Sequence, residues 1–400
     1  MSLFAAVEMA PRDPILGLNE QFAADTRAHK VNLGVGVYFD ENGKLPLLEC
    51  VAEADRRIMA TPRPWGYLPI DGIAAYDKAV QGLVFGADSP IVAQGRVATV
   101  QALGGTGGLK LAADFLRRVH AASKVLISDP SWENHRALFT TAGFEVDTYP
   151  YYDALTRGVR FDAMIAALDA ATPRTVVVLH ACCHNPTGVD LTADQWGRVV
   201  DAVRARELVA VLDMAYQGFG EGLAEDGAVV QRFVDAGLDF FVATSFSKSF
   251  SLYGERVGAL SVACTSADEA SRVLSQLKIA VRTNYSNPPT HGAQVVATVL
   301  TTPELRRQWE DELGTMRRRI REMRELLADG LRSAGVVGDL SYITRQKGMF
   351  SYSGLSRHQM QRLRAEFAVY GVDSGRICVA ALNRTNLATV IPAIVAVMQS

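Results

Sequence analysis

Short apolar runs alternate with amphipathic stretches through the middle of this chain. The runs are KVLISDP at 124–130, TVVVLHACC at 175–183, LVAVLDMAY at 208–216 and LDFFVATSF at 238–246. Between them lie stretches such as LKLAADFLRRVH at 109–120 and TADQWGRVVDAVRAREL at 192–208. Alternating strand and helix patterns predict an α/β fold, with a mostly parallel sheet covered by helices and ligands held at the carboxyl ends of its strands. From 303 to 335 the pattern becomes one long charged helix, PELRRQWEDELGTMRRRIREMRELLADGLRSAG, with a bend expected near Gly314. Beyond it, SYITRQKGMFSYSG and RICVAAL are strand-like segments among helices, which reads as a smaller α+β unit.

Composition narrows the partners. The 400 residues, 48% of them hydrophobic, suffice for two buried cores. With 41 Lys and Arg against 43 Asp and Glu, the net charge is −2 and no long block of either sign occurs. Nucleic acid and anionic membrane are therefore poor partners. The opening MSLFAAVEMAPRDPI does not read as a signal peptide, and no run is apolar for long enough to span a bilayer. Cys50, Cys182, Cys183, Cys264 and Cys378 are odd in number and scattered, which points to free thiols in a reducing, cytoplasmic setting.

The stretch VATSFSKSFSLYGERVGALSV at 242–262 sets Lys248 among small residues between two apolar runs. Such a lysine is either an exposed loop residue or an amine kept for covalent chemistry on a carbonyl compound, since burying an unpaired ammonium is costly. Asp213 ends the run LVAVLD, at the expected tip of a central strand, with Tyr216 three residues on. Alone it reads equally well as a helix cap. Paired with the lysine it fits pyridoxal phosphate, which needs a lysine for its Schiff base and an anion against its pyridine nitrogen.

LGGTGGLKLAADF at 103–115 puts Gly105 and Thr106 at a helix start, where unpaired N–H groups favour a phosphate, although glycines also serve ordinary turns there. Ser245, Ser247 and Arg256, flanking the lysine, would complete a phosphate cup. HACCHNPTG at 180–188 invites a metal reading that its spacing opposes. Neighbours on a strand point to opposite faces, and the Asn-Pro-Thr-Gly turn breaks any helix that would align His180 with His184. Asn185 in that turn is placed to present its amide to a substrate or cofactor. Arg282 in AVRTNYSNPP and Arg376 in DSGRICVA are either surface ion-pairing residues or carboxylate clamps.

In this order VNLGVGVYFDENG, YLPIDG, GGTGGLKLAADF, DPSWENH, CCHNPTGVDL, LDMAYQGFG, SFSKSFSLYGERVGALSV, NYSNPPTHGA, GMFSYSGL and SGRICVA run along nearly the whole chain. The set resembles the aspartate and aromatic amino acid aminotransferases of class I. That resemblance implies the pyridoxal-phosphate transferase fold, a large domain with a mostly parallel seven-stranded sheet covered by helices plus a smaller α+β domain. The implied division is an N-terminal arm with the first part of the small domain at 1–44, a large cofactor-binding domain at 45–313 and the small domain at 314–400.

It also implies roles. Lys248 would form the Schiff base and shuttle the proton, and Asp213 would face the pyridine nitrogen with His135 behind it. Tyr216 and Asn185 would bond the ring oxygen, and Trp132 would stack on the ring beside the substrate. Gly105, Thr106, Ser245, Ser247 and Arg256 would hold the phosphate, joined by Tyr67 of a neighbouring subunit. Arg376, assisted by Asn185, would clamp the α-carboxylate, Gly36 would face the substrate, and Arg282 of the neighbouring subunit would bind a side-chain carboxylate. A homodimer with shared sites and no metal is implied.

The implied reaction is transamination of tyrosine or phenylalanine, of aspartate, or of both, with 2-oxoglutarate, in two half-reactions through pyridoxamine phosphate. SLYGERVGALSV and LDMAYQGFGEG are nearer the aromatic branch. Alternatives are a strict aspartate aminotransferase, a β-lyase or decarboxylase on the same fold, and a nicotinamide dehydrogenase. The last is opposed by the missing dinucleotide glycine fingerprint. A non-catalytic relative is opposed by the presence of both Lys248 and Asp213.

Overall fold

The computed structural model describes residues 2–399 except 11, 12, 14, 63, 65 and 121–123. Seven strands form one sheet: β1 (Val97–Leu103), β2 (Lys124–Asp129), β3 (Glu145–Pro150), β4 (Val176–His180), β5 (Val209–Met214), β6 (Phe240–Ser245) and β7 (Val257–Ala263). Their spatial order is β1-β7-β6-β5-β4-β2-β3. From β6 to β3 all neighbours are parallel, whereas β7 is antiparallel to both of its own. Every residue of β4, β6 and β7 is buried, which is why these strands read as continuous apolar runs. Edge strand β3 is exposed at intervals and reads as alternating instead.

Helices α1 (Gly104–Val119), α2 (Glu133–Thr141), α3 (Ala193–Ala205), α4 (Leu223–Asp235) and α5 (Ala267–Tyr285) accompany the strands. Helix α3 opens on a capping box between Thr192 and Gln195, which satisfies two of the N–H groups a helix start leaves unbonded. In α1 the residues Leu109, Ala112, Phe115 and Leu116 share one buried cluster with Val100, Ala102 and Leu260 of the sheet. Truncating Leu109 to Ala would cost about 2–5 kcal/mol through lost burial and the cavity left behind. Gly108 lets α1 lie close, since a Cβ there would meet the Ala259 carbonyl oxygen at 2.9 Å.

The chain divides into two compact units, one of residues 45–321 with 345–348 and one of residues 1–44, 322–344 and 349–400. Helix α6 (Pro303–Ser333) is continuous and contributes to both. In the smaller unit β8 (Phe350–Tyr352) pairs antiparallel with β9 (Arg376–Cys378), and Val31–Asn32 pairs parallel with Val369–Tyr370. Its helices α7 (Arg357–Phe367) and α8 (Arg384–Met398) both begin with capping boxes, Ser356 with Gln359 and Asn383 with Asn386. Among the described residues no helix is long and apolar enough to cross a membrane.

The direction of β7 decides what the sheet presents at its carboxyl edge. Strands β4, β5 and β6 end there, with His180, Asp213 and Ala243 level across the register. Strand β7 begins there, because Val257 lies opposite Leu103, the last residue of β1. Gly104 after β1, Ser245 at the end of β6 and Arg256 before β7 therefore arrive at one edge from three distant parts of the chain.

Candidate active site

Asp213 sits near the end of β5 and is 5% exposed. It is part of a strand and caps no helix; the next helix, α4, takes Gly222 as its N-cap. Its Oδ2 lies 2.9 Å from Nε2 of the fully buried His135, whose Nδ1 lies 2.9 Å from Ser131 Oγ. Burial pushes the Asp213 carboxyl up, but the hydrogen bond and charge of His135, then His180 and Lys248, outweigh it and hold the group below its ordinary value. Asp213 is thus a buried, ionised carboxylate. Lys248, half-buried in the turn after β6, places Nζ 5.1 Å from the centre of the Tyr216 ring. Trp132, the N-cap of α2, meets His135 edge-on at 5.3 Å.

The second group is a cradle at the start of α1. The first N–H groups of a helix lack partners within it; here that of Gly104 is taken by the Arg256 carbonyl at 3.0 Å, and Gly105 and Thr106 follow it in the first turn. Gly104 has φ +69°, and a Cβ on it would meet Arg256 Nη2 at 2.5 Å. At Gly105 a Cβ would stand 3.1 Å from that of Ser245. Arg256 donates from Nη1 to Ser247 Oγ at 3.1 Å, and the Ser247 N–H reaches Ser245 Oγ at 3.3 Å. Glycines, two hydroxyls, a guanidinium and a helix start converge, which is a setting for a phosphate-sized anion. Thr106, next in α1, is partly exposed beside them.

The loop after β4 carries the buried Asn185. Asp190 braces it, accepting the N–H groups of Cys183 and His184 at 2.8 Å each. No helix aligns His180 with His184, as the sequence predicts, yet the loop brings their rings within 4.4 Å of each other. His184 is a structural residue, bonded to Ser128 at 2.9 Å and Thr187 at 2.8 Å and stacked on Tyr151. His180 is buried with neither ring nitrogen hydrogen-bonded, and burial, then the charge of His135, push its pKa down to about 3. It is a neutral wall beside Asp213.

Among the described residues two donor clusters have metal-like spacing, His135–His180–Asp213 and Cys182–Cys183–Asp226. In the first, Asp213 and His135 bond each other. In the second, Asp226 accepts the N–H groups of Gly218, Gly220 and Glu221, while the hydrogen bond to Cys183 and then burial raise the Cys182 thiol far above its usual range. A thiol that stays protonated is a poor ligand.

In the smaller unit Arg376 opens β9 and is 1% exposed. Its guanidinium lies 4.4 Å from the centre of the Phe350 ring and donates from Nη2 to the Gly34 carbonyl at 2.7 Å. Gly36 faces the same ring, since a Cβ there would meet Phe350 Cζ at 2.8 Å. Tyr67 is 96% exposed. Arg282 is exposed near the end of α5, bonds Ser286 and pairs with no described carboxylate. Neither of these two is bonded to any residue of the cradle or of the Asp213 group. Ser131 and Gly104 were missed by sequence reasoning, and His180 was weighed there only as a metal ligand. Ser131 and Gly104 lie inside quoted motifs, DPSWENH and LGGTGG, four residues before His135 and one before Gly105.

A family model described as aminotransferase class I and II matches residues 28–394. The chain is 60% identical to an aspartate aminotransferase of Pseudomonas aeruginosa, covering 100% of each chain. To an aromatic-amino-acid aminotransferase of Escherichia coli it is 52% identical, over 99% of this chain and 100% of that one. A crystal structure of an aromatic-amino-acid aminotransferase from Burkholderia pseudomallei, covalently bound to pyridoxal phosphate, aligns with TM-score 0.97 at 64% identity, covering 99% of this chain and 100% of the other.

Proposed function

This chain belongs to the class I and II aminotransferases, and on that premise we propose that it is a pyridoxal-phosphate enzyme moving the amino group of tyrosine, phenylalanine or aspartate to 2-oxoglutarate. The observation that carries the reading is the buried, ionised Asp213 at a strand tip beside Lys248 and Tyr216. The cofactor supplies an electron sink when its ring nitrogen is protonated. Asp213 holds that proton, because His135 keeps the carboxylate charged and oriented. Lys248 would hold the cofactor covalently at its aldehyde carbon, the carbonyl oxygen leaving as water, and its Nζ would carry the proton at the substrate α-carbon. Tyr216 and Asn185 would hydrogen-bond the ring oxygen, and Trp132 would lie against the ring. Gly105, Thr106, Ser245, Ser247 and Arg256 hold the phosphate, and the fit is supported by a cradle that a Cβ at Gly104 or Gly105 would crowd.

Arg376 is the α-carboxylate clamp, and Gly36 leaves room for the substrate. Phe350 under the guanidinium supports this, since it fixes the plane of a fork suited to bidentate binding. Tyr67 and Arg282 act in the site of a second subunit, Tyr67 on the phosphate and Arg282 on a side-chain carboxylate. Their exposure in one chain supports a homodimer, as do the exposed Leu3, Phe4, Val7 and Met9. The five cysteines, all buried and unbridged, suit the cytoplasm.

Breadth of substrate follows from two demands. A dicarboxylate requires Arg282, while an aromatic side chain requires an apolar pocket from which that charge can withdraw. Relatives named for aspartate and for aromatic amino acids at 60% and 52% identity support both. The test is a panel of amino donors with 2-oxoglutarate, read as kcat/KM ratios beside the visible absorbance of the purified protein. Turnover of aspartate with none of tyrosine or phenylalanine leaves a strict aspartate enzyme; absence of visible absorbance refutes the cofactor.

A further inference from the structure

His291 lies outside the groups described above, at the start of the helix His291–Thr301. Both its nitrogens are clasped by carboxylates: Nε2 lies 2.8 Å from Asp55 Oδ1, and Nδ1 lies 3.0 Å from Glu255 Oε2. Asp55 belongs to the helix Glu49–Met59, and Glu255 immediately precedes Arg256. The helix start also presses on this turn directly. A Cβ at Gly292 would meet Val257 Cγ2 at 2.3 Å and Glu255 Cβ at 2.9 Å. Only a glycine permits that approach.

Arg256 needs to be held. Its φ is +55°, a left-handed conformation that a residue with a Cβ adopts at a cost and keeps only where its surroundings impose it. Three backbone hydrogen bonds fix the turn: Glu255 N–H to Leu252 O at 3.2 Å, Gly104 N–H to Arg256 O at 3.0 Å and Phe246 N–H to Val257 O at 3.0 Å. None of these ties the turn to the helices that carry Asp55 and His291. We propose that His291 is a positioning residue: by bridging Asp55 and Glu255 it fixes the turn from which Arg256 reaches the cofactor's phosphate. The hydrogen bonds to Asp55 and then Glu255 raise the His291 pKa, so the bridge favours the cation, which both carboxylates attract. The inference rests on the reading that Arg256 holds phosphate.

The test compares apoenzyme affinity for pyridoxal phosphate with that for pyridoxal, which lacks the phosphate, in His291→Ala and Glu255→Gln and in Arg256→Ala with and without His291→Ala. The expected result is an affinity for pyridoxal phosphate on the order of tenfold weaker in both single variants, the scale on which groups behind a ligand-holding residue act. Pyridoxal affinity stays unchanged, and His291→Ala adds nothing in the Arg256→Ala background. Equal weakening for both ligands, or no weakening, overturns the proposal, whatever happens to the melting temperature. If Arg256→Ala itself leaves the affinity for pyridoxal phosphate unchanged, it is the phosphate reading that fails. If Arg256→Ala weakens it and His291→Ala does not, only the role of His291 fails.

Discussion

Substituting Gly104 by Ala should separate a folding cost from a binding cost. Gly104 has φ +69°, and the new Cβ would stand 2.5 Å from Nη2, 3.0 Å from Cζ and 3.3 Å from Nη1 of Arg256. The left-handed backbone costs an L-residue about 1–2 kcal/mol, and this should appear in the stability of the apoenzyme. The clash itself is inexpensive to relieve, because a guanidinium is the far end of a flexible side chain. Relief swings it off the phosphate. Losing one charge-assisted contact costs about 2 kcal/mol at the low end of the range for cut ion pairs, which is appropriate for a group open to solvent on one side. That is about thirtyfold in the dissociation constant for pyridoxal phosphate. Apoenzyme titrated with cofactor by fluorescence quenching gives the binding term, and urea unfolding of the same samples gives the folding term. In an Arg256→Ala background the folding cost should persist while the binding loss vanishes. Wild-type cofactor affinity in Gly104→Ala would refute the reasoning, since it would mean that the guanidinium does not contribute from where it lies.

The other predictions concern specificity, assembly and pH. Arg282→Leu should lower kcat/KM for aspartate far more than for phenylalanine, by the equivalent of about 2–5 kcal/mol, because only the dicarboxylate loses a paired anchor; equal losses would make Arg282 structural. Mixing Lys248→Ala with Arg282→Asp subunits should restore aspartate activity to about a quarter of wild type, since random pairing makes about half the dimers mixed and each then has one whole site. Activity that stays at the parental average would place lysine and arginine of a site in the same subunit. Asp77 is buried with Oδ1 unbonded, and burial, then the charge of Asp71, push its pKa up from 3.8 to about 9. Its unfolded form ionises first, so stability is greatest below the ordinary pKa and falls, by up to about 1.4 kcal/mol per pH unit, until the folded pKa is reached. Asp77→Asn should flatten that fall between about pH 5 and pH 8 in urea unfolding; parallel profiles for the two proteins would show that the carboxyl is ionised in the fold.

Much was legible along the chain because burial on both faces leaves a local record. The runs that became β2, β4, β5 and β6 are apolar up to the polar residues at their carboxyl ends, and their direction was readable from the helices between them. Lys248, Asp213 and the glycines of LGGTGG stood out because each departs from its surroundings in charge or size. What the pattern does not record is who meets whom. VGALSVA reads the same whichever way the strand runs, yet its antiparallel direction is what brings Arg256 to Gly104. The bond between His135 and Asp213 joins residues 78 apart, and the rings of His180 and His184 meet across a loop that no local periodicity describes. Hydrophobic periodicity reports the environment of one position at a time. Register, strand direction and the left-handed backbone at Gly104 and Arg256 are properties of pairs of distant segments, and they exist only once the sheet has closed around them.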